Sequence, residues 1–333
     1  MKTSDFYYDL PKSAIAQSAI EPRHDARLLD TRTMSDHRFL DLSDLLEPGD
    51  LVVVNRTRVR RARLIGRKPT GGMVEVLLIR GLGGNRWEAL AKPARRLRCG
   101  SVIRFGDLET RLVEGPIMGR VIIEADGDLA ALAEAAGEIP LPPYFHGVLH
   151  DSDRYQTMFA DRIGSAAAPT AGLHFTAEVI RRLGESRVAL ERIELEVSLD
   201  TFRPISVAVL DDHEMHSERV SVDPDVVERI NGARNDGGRV IAVGTTVVRA
   251  LETAAADGTL RPITGFTSLF IRPGHRFQAV DLVVTNFHVP GSTLIVLTAA
   301  MMGVRWKRVY AVALDRGYRF LSFGDAILVE VQR

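Results

Sequence analysis

The chain has 333 residues, 45% hydrophobic and 26% charged, with 43 basic against 43 acidic side chains. This is the make-up of an ordinary soluble globular chain with length for two domains. No basic segment followed by an apolar run opens it, Ser292–Val304 is too short to span a bilayer, and the lone Cys99 excludes an intrachain disulfide, so a reducing cytoplasm is expected.

In chain order, residues 44–54 lead directly into a β-rich stretch. LVVVNRT, ARLIGRK, MVEVLLIR, RWEALAK, SVIRFGD, TRLVEG and GRVIIEA, all within 51–125, are separated by turn residues, the spacing of a small sheet or barrel. A short helix at 129–136 and the Pro-rich IPLPPYF (139–145) close this part. After about residue 151, strands and helices alternate. A helix capped by Thr176 is expected to stop at Gly184, and further helices are expected at 224–234, from 247, after Ser292 and at 308–315. Strands are expected at 192–197, 239–243, in TSLFIRP (267–273), in DLVVTNF (281–287), and at 318–331 with a break at Gly324. The fold class is therefore α/β: a main domain from both chain ends (1–54 and 148–333) carrying an inserted small β-barrel domain (55–147).

Charge is unevenly placed. Between Asn55 and Arg104 stand 14 Lys or Arg against only Glu75 and Glu88, a local excess of +12 that suggests an anionic partner. Two strand-to-helix junctions are candidate ligand sites, because free N–H groups and the helix dipole favour an anion there. They are Gly244-Thr245-Thr246 and NFHVPGST (286–293), the second carrying His288. The run GSAAAPTAGLHFT (164–176), rich in Gly, Ala and Ser, lets a backbone lie close to a neighbour, with His174 near its end. His213 and His216, in DDHEMHSERV, lack the HExxH spacing and a third ligand, so no metal is expected; Glu214 and Glu218 are carboxylates beside them.

These stretches, with DFYYDLP (5–11), PGDLVVVNRTRV (48–59), GEIPLPPY (137–144), DRYQTMFA (153–160), RVIAVGTTVVRALET (239–253), FIRPG (270–274), VDLVVTNFHVPGSTLIVLTAAMMG (280–303) and YRFLSFGDAIL (318–328), closely resemble the S-adenosylmethionine:tRNA ribosyltransferase-isomerase family of queuosine biosynthesis. The resemblance runs in family order along the whole chain. It implies an α/β domain with an inserted β-barrel, and S-adenosylmethionine as ribosyl donor and co-substrate, with no other cofactor and no metal. The implied acceptor is 7-aminomethyl-7-deazaguanine at the tRNA wobble position, giving epoxyqueuosine-tRNA, adenine and methionine. The implied partner is the anticodon arm of tRNA, with no membrane and no obligate protein partner, and the family resemblance leans to a monomer.

The resemblance also gives the candidates roles. A sulfonium acidifies the ribose C5′–H, so a base is needed; His174 is the first choice, with His216 and His288 as alternatives, and Asp325 is placed on a donor hydroxyl or the acceptor amine. Ala168, Pro169, Thr170, Ala171 and Gly172, with Gly244, Thr245, Thr246 and Asn286, are read as the substrate seat. Arg58, Arg63, Lys68, Arg95 and Arg96 are read as tRNA contacts. The chain departs from the family pattern at 195–202, LEVSLDTF, where Glu196 replaces a histidine and Ser198 and Asp200 replace glycines, and it carries extra arginines at 55–63. The alternatives are a divergent relative acting on another acceptor and a non-catalytic RNA-binding protein.

Overall fold

A computed structural model describes residues 1–147, 149, 151–198, 201 and 203–332. The chain divides into two compact units. Met1–Arg58, Pro142–Ile163 and Ala168–Arg333 form the first; Val59–Leu141 and Gly164–Ala167 form the second.

The early strands are β1 (Arg27–Asp30), β2 (Ser35–Arg38), β3 (Leu51–Asn55) and β4 (Thr57–Val59). The β-rich stretch holds β5 (Arg63–Arg67), β6 (Met73–Gly83), β7 (Arg86–Lys92), β8 (Val102–Phe105), β9 (Leu108–Ile117) and β10 (Arg120–Ala125). Then come α1 (Leu129–Ala136), β11 (Arg162–Ser165), α2 (Ala177–Glu185), β12 (Ala189–Leu195), β13 (Glu218–Val222) and α3 (Pro224–Asn235). The chain finishes with β14 (Val240–Val243), α4 (Thr245–Ala254), β15 (Ile263–Thr267), β16 (Leu282–Asn286), α5 (Thr293–Met302), α6 (Trp306–Asp315) and β17 (Ala326–Glu330).

In the first unit, one sheet takes the order β15-β13-β12-β3-β14-β16-β17-β1-β2. Its middle is parallel: β12 on β3, β3 on β14, and β14 on β16. Strands covered on both faces need unbroken apolar runs, and β3, β14 and β16 are buried at every position. One core cluster ties Val52, Val54, Ile241, Val243 and Val284 to Phe39, Phe159 and Phe175.

In the second unit, β10-β7-β6-β5-β8-β9 close into a barrel. Its strands alternate burial, as β5 does in the order half-buried, buried, exposed, buried, exposed. A side chain at Gly66 would collide with Ile103 and Phe105, so only glycine lets β5 close onto β8. Asp128 accepts from the Ala131 N–H at 3.0 Å and starts α1.

Local differences from the expected elements have identifiable causes. Gly184 does not end α2, which runs on to Glu185; the left-handed residue that turns the chain is Arg187, at φ +57°. Thr176 bonds the His24 ring at 2.7 Å and leaves the helix without a side-chain cap. The strand expected at 267–273 lies earlier, at 263–267, because β15 pairs with β13 and the Leu269 carbonyl instead accepts from Arg249. Of 318–331 only Ala326–Glu330 is strand: Leu321 takes φ +71° and Asp325 folds back to accept from the Arg319 N–H, making a compact turn. Residues 218–222, with no strand expected, form β13.

Candidate active site

Ligands in open α/β sheets bind beyond the carboxyl ends of parallel strands. In the first unit β14 ends at Gly244, and the next strand, β16, ends by delivering Thr285, Asn286 and His288. A cavity opens there. Its walls include Ala168, Pro169, Thr170 and Ala171 on one side, Gly244, Thr245 and Thr246 at the start of α4, and Asn286 and His288 beyond β16. The structure thus brings together nearly all of the expected substrate seat. Gly172 stands apart, packed toward Thr157. Thr170 Oγ1 donates to Asn286 Oδ1 at 2.9 Å, and Asn286 Nδ2 donates to the Asp325 carbonyl at 3.4 Å, which fixes the small-residue segment against the strand end.

Several lining residues escaped sequence reasoning: Tyr144, Thr201, Thr285 and Ser322. Tyr144 and Ser322 share a hydrogen bond of 2.6 Å, and burial pushes the Tyr144 phenol well above its ordinary range. Tyr144 ends the Pro-rich IPLPPY and Thr285 precedes Asn286 in TNFHVPG, so their motifs were visible although their roles were not.

The four expected catalytic residues fall in three different settings. His288 lines the cavity, is 6% exposed, and burial lowers its pKa to about 3. Thr298 Oγ1 gives its own proton to the Leu294 carbonyl and lies 3.0 Å from His288 Nδ1. Nδ1 is therefore assigned the proton, leaving Nε2 to accept from Thr285 Oγ1 at 3.1 Å. His174, His216 and Asp325 do not line the cavity. His174 is stacked on Phe39 with its nitrogens 2.9 Å from the Gly324 carbonyl and 3.2 Å from the Ala171 carbonyl; burial lowers its pKa. Asp325 accepts from the Arg27 and Arg319 N–H groups at 2.9 and 2.7 Å. Both residues pin the loops that carry lining residues.

His216 belongs to a buried ionic cluster. Glu218, on β13, is ion-paired with Arg249 of α4, their side chains 0% and 4% exposed. Glu218 Oε1 also accepts from the Ser198 N–H at 2.7 Å and Thr201 Oγ1 at 3.2 Å, and lies 3.3 Å from His216 Nε2. Burial alone would raise the Glu218 carboxyl, but Arg249, His216 and the Ser198 N–H outweigh it and hold its pKa below the usual value. An ionised carboxylate only accepts, so Nε2 carries a proton toward it. Thr201, beside His216 Nε2 at 3.4 Å, lines the cavity, and Met215 lines a narrower crevice that shares Thr201, Thr245, Thr246 and Leu294 with it. Among the described residues no three His, Cys, Asp or Glu gather in a metal-holding group.

At the departures from the family pattern, Glu196 pairs with Arg219 at 3.3 Å. Ser198 needs no left-handed backbone, so its side chain is accommodated. Asp200 lies outside the described residues.

The basic stretch is more neutral than its sequence. Arg56 pairs with Asp161, Arg63 with Glu75 and Glu138 (2.7 and 2.6 Å), Arg80 with Glu88, Arg86 with Glu114 and Arg104 with Glu109. Lys68, Arg95 and Arg96 have no ion-pair partner among the described residues, and the two arginines are exposed. Arg58, also without such a partner among them, lines a groove in the first unit with Arg23, Met158 and Phe175.

The family described as "Queuosine biosynthesis protein" matches residues 3–329. A relative named S-adenosylmethionine:tRNA ribosyltransferase-isomerase, from Symbiobacterium thermophilum, is 51% identical over 340 residues, covering 99% of this chain and 100% of the relative. The crystal structure of an S-adenosylmethionine tRNA ribosyltransferase from Thermotoga maritima matches with TM-score 0.54 at 33% identity, covering 98% of this chain and 99% of that one.

Proposed function

The chain belongs to the queuosine biosynthesis protein family, and we propose that the cavity beyond β14 and β16 seats S-adenosylmethionine for its work there. The protein is an enzyme of ribosyl transfer and isomerisation in queuosine synthesis. Its acceptor is 7-aminomethyl-7-deazaguanine in the wobble position of tRNA, and its products are epoxyqueuosine-tRNA, adenine and methionine.

The observation that carries the assignment of the seat is the cavity wall itself. The small side chains of Ala168 and Ala171 allow close approach of a flat base and a ribose, and Thr170 and Asn286 offer polar atoms there. A cationic sulfonium needs a wall free of positive charge. His288 meets that need, because burial keeps its ring neutral at physiological pH. A ring so reluctant to take a proton is a poor base, so the proton-transfer role goes to His216. His216 does not line the cavity itself but stands behind Thr201, which does and which lies 3.4 Å from its Nε2. Its Nδ1 lone pair would take the C5′ proton, and the imidazolium formed would face the Glu218 carboxylate at 3.3 Å. His174 and Asp325 act by holding the seat.

The remaining expectations have more modest support. The grouping of Met1–Arg58 with the C-terminal part favours reading 55–147 as an insertion into 1–54 and 148–333. The unpaired Lys68, Arg95 and Arg96 support a tRNA-binding role for the second unit. The lone cysteine favours a cytoplasmic setting, and the family resemblance leans to a monomer. No helix among the described residues is long and apolar enough to cross a membrane.

The deciding assay is adenine release from S-adenosylmethionine with tRNA carrying 7-aminomethyl-7-deazaguanine or, as control, guanine. Release is expected with the modified tRNA alone, and His216→Gln is expected to cut it at least 100-fold while tRNA affinity is kept. Release independent of the modified base would overturn the acceptor; full turnover by His216→Gln would remove that residue from the chemistry.

A further inference from the structure

The cavity continues into the narrower crevice between the first turns of α4 and α5, two helices of 10 residues each. Both helices present their N-terminal ends to it: Thr245 and Thr246 from one, Thr293 and Leu294 from the other. The first N–H groups of a helix have no acceptor within it, and they carry the positive end of its dipole. Two further atoms single this place out. The hydroxyls of Thr246 and Thr293 are buried without a hydrogen-bond partner among the described residues, on residues 7% and 6% exposed. Buried polar atoms are ordinarily satisfied, so two orphans on residues that line one crevice at two helix starts mark a place for an acceptor.

The crevice also limits what that acceptor can be. Arg249 lines it, but its guanidinium is taken by Glu218 and by the Leu269 and Thr267 carbonyls, which leaves no free positive side chain for a dianion. Leu269, Ile271 and Leu297 make the remaining wall apolar. A short aliphatic chain ending in one carboxylate matches both features. Resting on the reading that the cavity holds S-adenosylmethionine, we propose that the crevice between α4 and α5 seats the donor's methionyl carboxylate, bound by the hydroxyls of Thr246 and Thr293. The base and ribose then fill the wider cavity, the sulfonium lies near the junction at Thr201, and methionine leaves through the crevice as product.

The test compares binding of S-adenosylmethionine, its decarboxylated form and 5′-methylthioadenosine by calorimetry, with and without guanine-bearing tRNA. The wild-type enzyme is expected to prefer the carboxylate-bearing donor by at least about tenfold, the worth of a hydrogen bond to a charged group. The double variant Thr246→Val/Thr293→Val, which keeps side-chain shape, is expected to lose that preference. The Thr→Ser pair is expected to keep it. Equal binding of the two donors by wild type, or a preference that survives the valines, overturns the subsite alone. If no adenosyl compound binds the wild type, the donor reading falls and the subsite with it.

Discussion

At the scale of single residues, the same burial that removes His288 from acid–base work makes it a liability in acid. Its folded pKa of about 3 lies below the unfolded value of about 6.5. Between those limits the unfolded chain binds a proton that the folded chain refuses. The stabilising contribution is therefore complete above pH 6.5 and is lost as pH falls toward 3, at ~1.4 kcal/mol per pH unit. His174, also lowered by burial, adds in the same direction. Carboxylates held low, such as Glu218 and Asp50, act only in more acidic solution. Denaturant unfolding between pH 7 and 5 should thus show a stability loss of about 2 kcal/mol from His288. His288→Gln should flatten that slope, and an unchanged slope would refute the neutral-ring account. None of this was legible in the sequence, where His174, His216 and His288 looked alike. What separates them is the partner each ring meets: two carbonyls, a carboxylate, or hydroxyls of a strand and two helices.

At the scale of elements, the junction between β14 and α4 does most to shape the cavity. Gly244 takes φ +90°, a region that an L side chain enters only under strain, and so turns the chain from strand into helix beside Ala171. There is room for a methyl group, whose nearest neighbour would be Ala171 Cβ at 3.6 Å, so the cost of alanine is conformational. Gly244→Ala should lower stability by about 1–2 kcal/mol in thermal melts and weaken donor binding measured by calorimetry. A variant as stable as wild type would show that the turn tolerates a side chain. This junction was readable from VGTT because a buried apolar strand followed by a helix start has a local signature. The turn at 318–325 was not, because its shape depends on Asp325 reaching the Arg27 N–H, 298 residues away in sequence. Nor was β13, whose existence depends on β12 and β15 lying on either side of it.

At the scale of the molecule, the excess of +12 between Asn55 and Arg104 overstates the field offered to RNA. Many of those arginines meet acids from elsewhere in the chain: Asp161, Glu109, Glu114 and Glu138. The unpaired cations should then carry the binding. Lys68→Ala, Arg95→Ala and Arg96→Ala are each expected to weaken tRNA binding and reduce the slope of log K against log salt by about 0.7–0.9. Arg63→Ala should lower the melting temperature, leaving Glu75 and Glu138 unpartnered, with little change in that slope. Filter binding across a salt series checks both, and a slope that responds to Arg63 alone would reverse the assignment.

The sequence by itself determined the α/β class with its barrel, the family, and the two junctions that frame the cavity. These rest on patterns within a few residues of each other: apolar runs that must be covered, turn residues that punctuate them, and long motifs quoted intact. Only the tertiary structure decided which histidine faces a carboxylate, which arginines are already neutralised, and which threonines are left without a partner. Protonation and hydrogen bonding depend on atoms a few ångströms away that the chain supplies from distant positions.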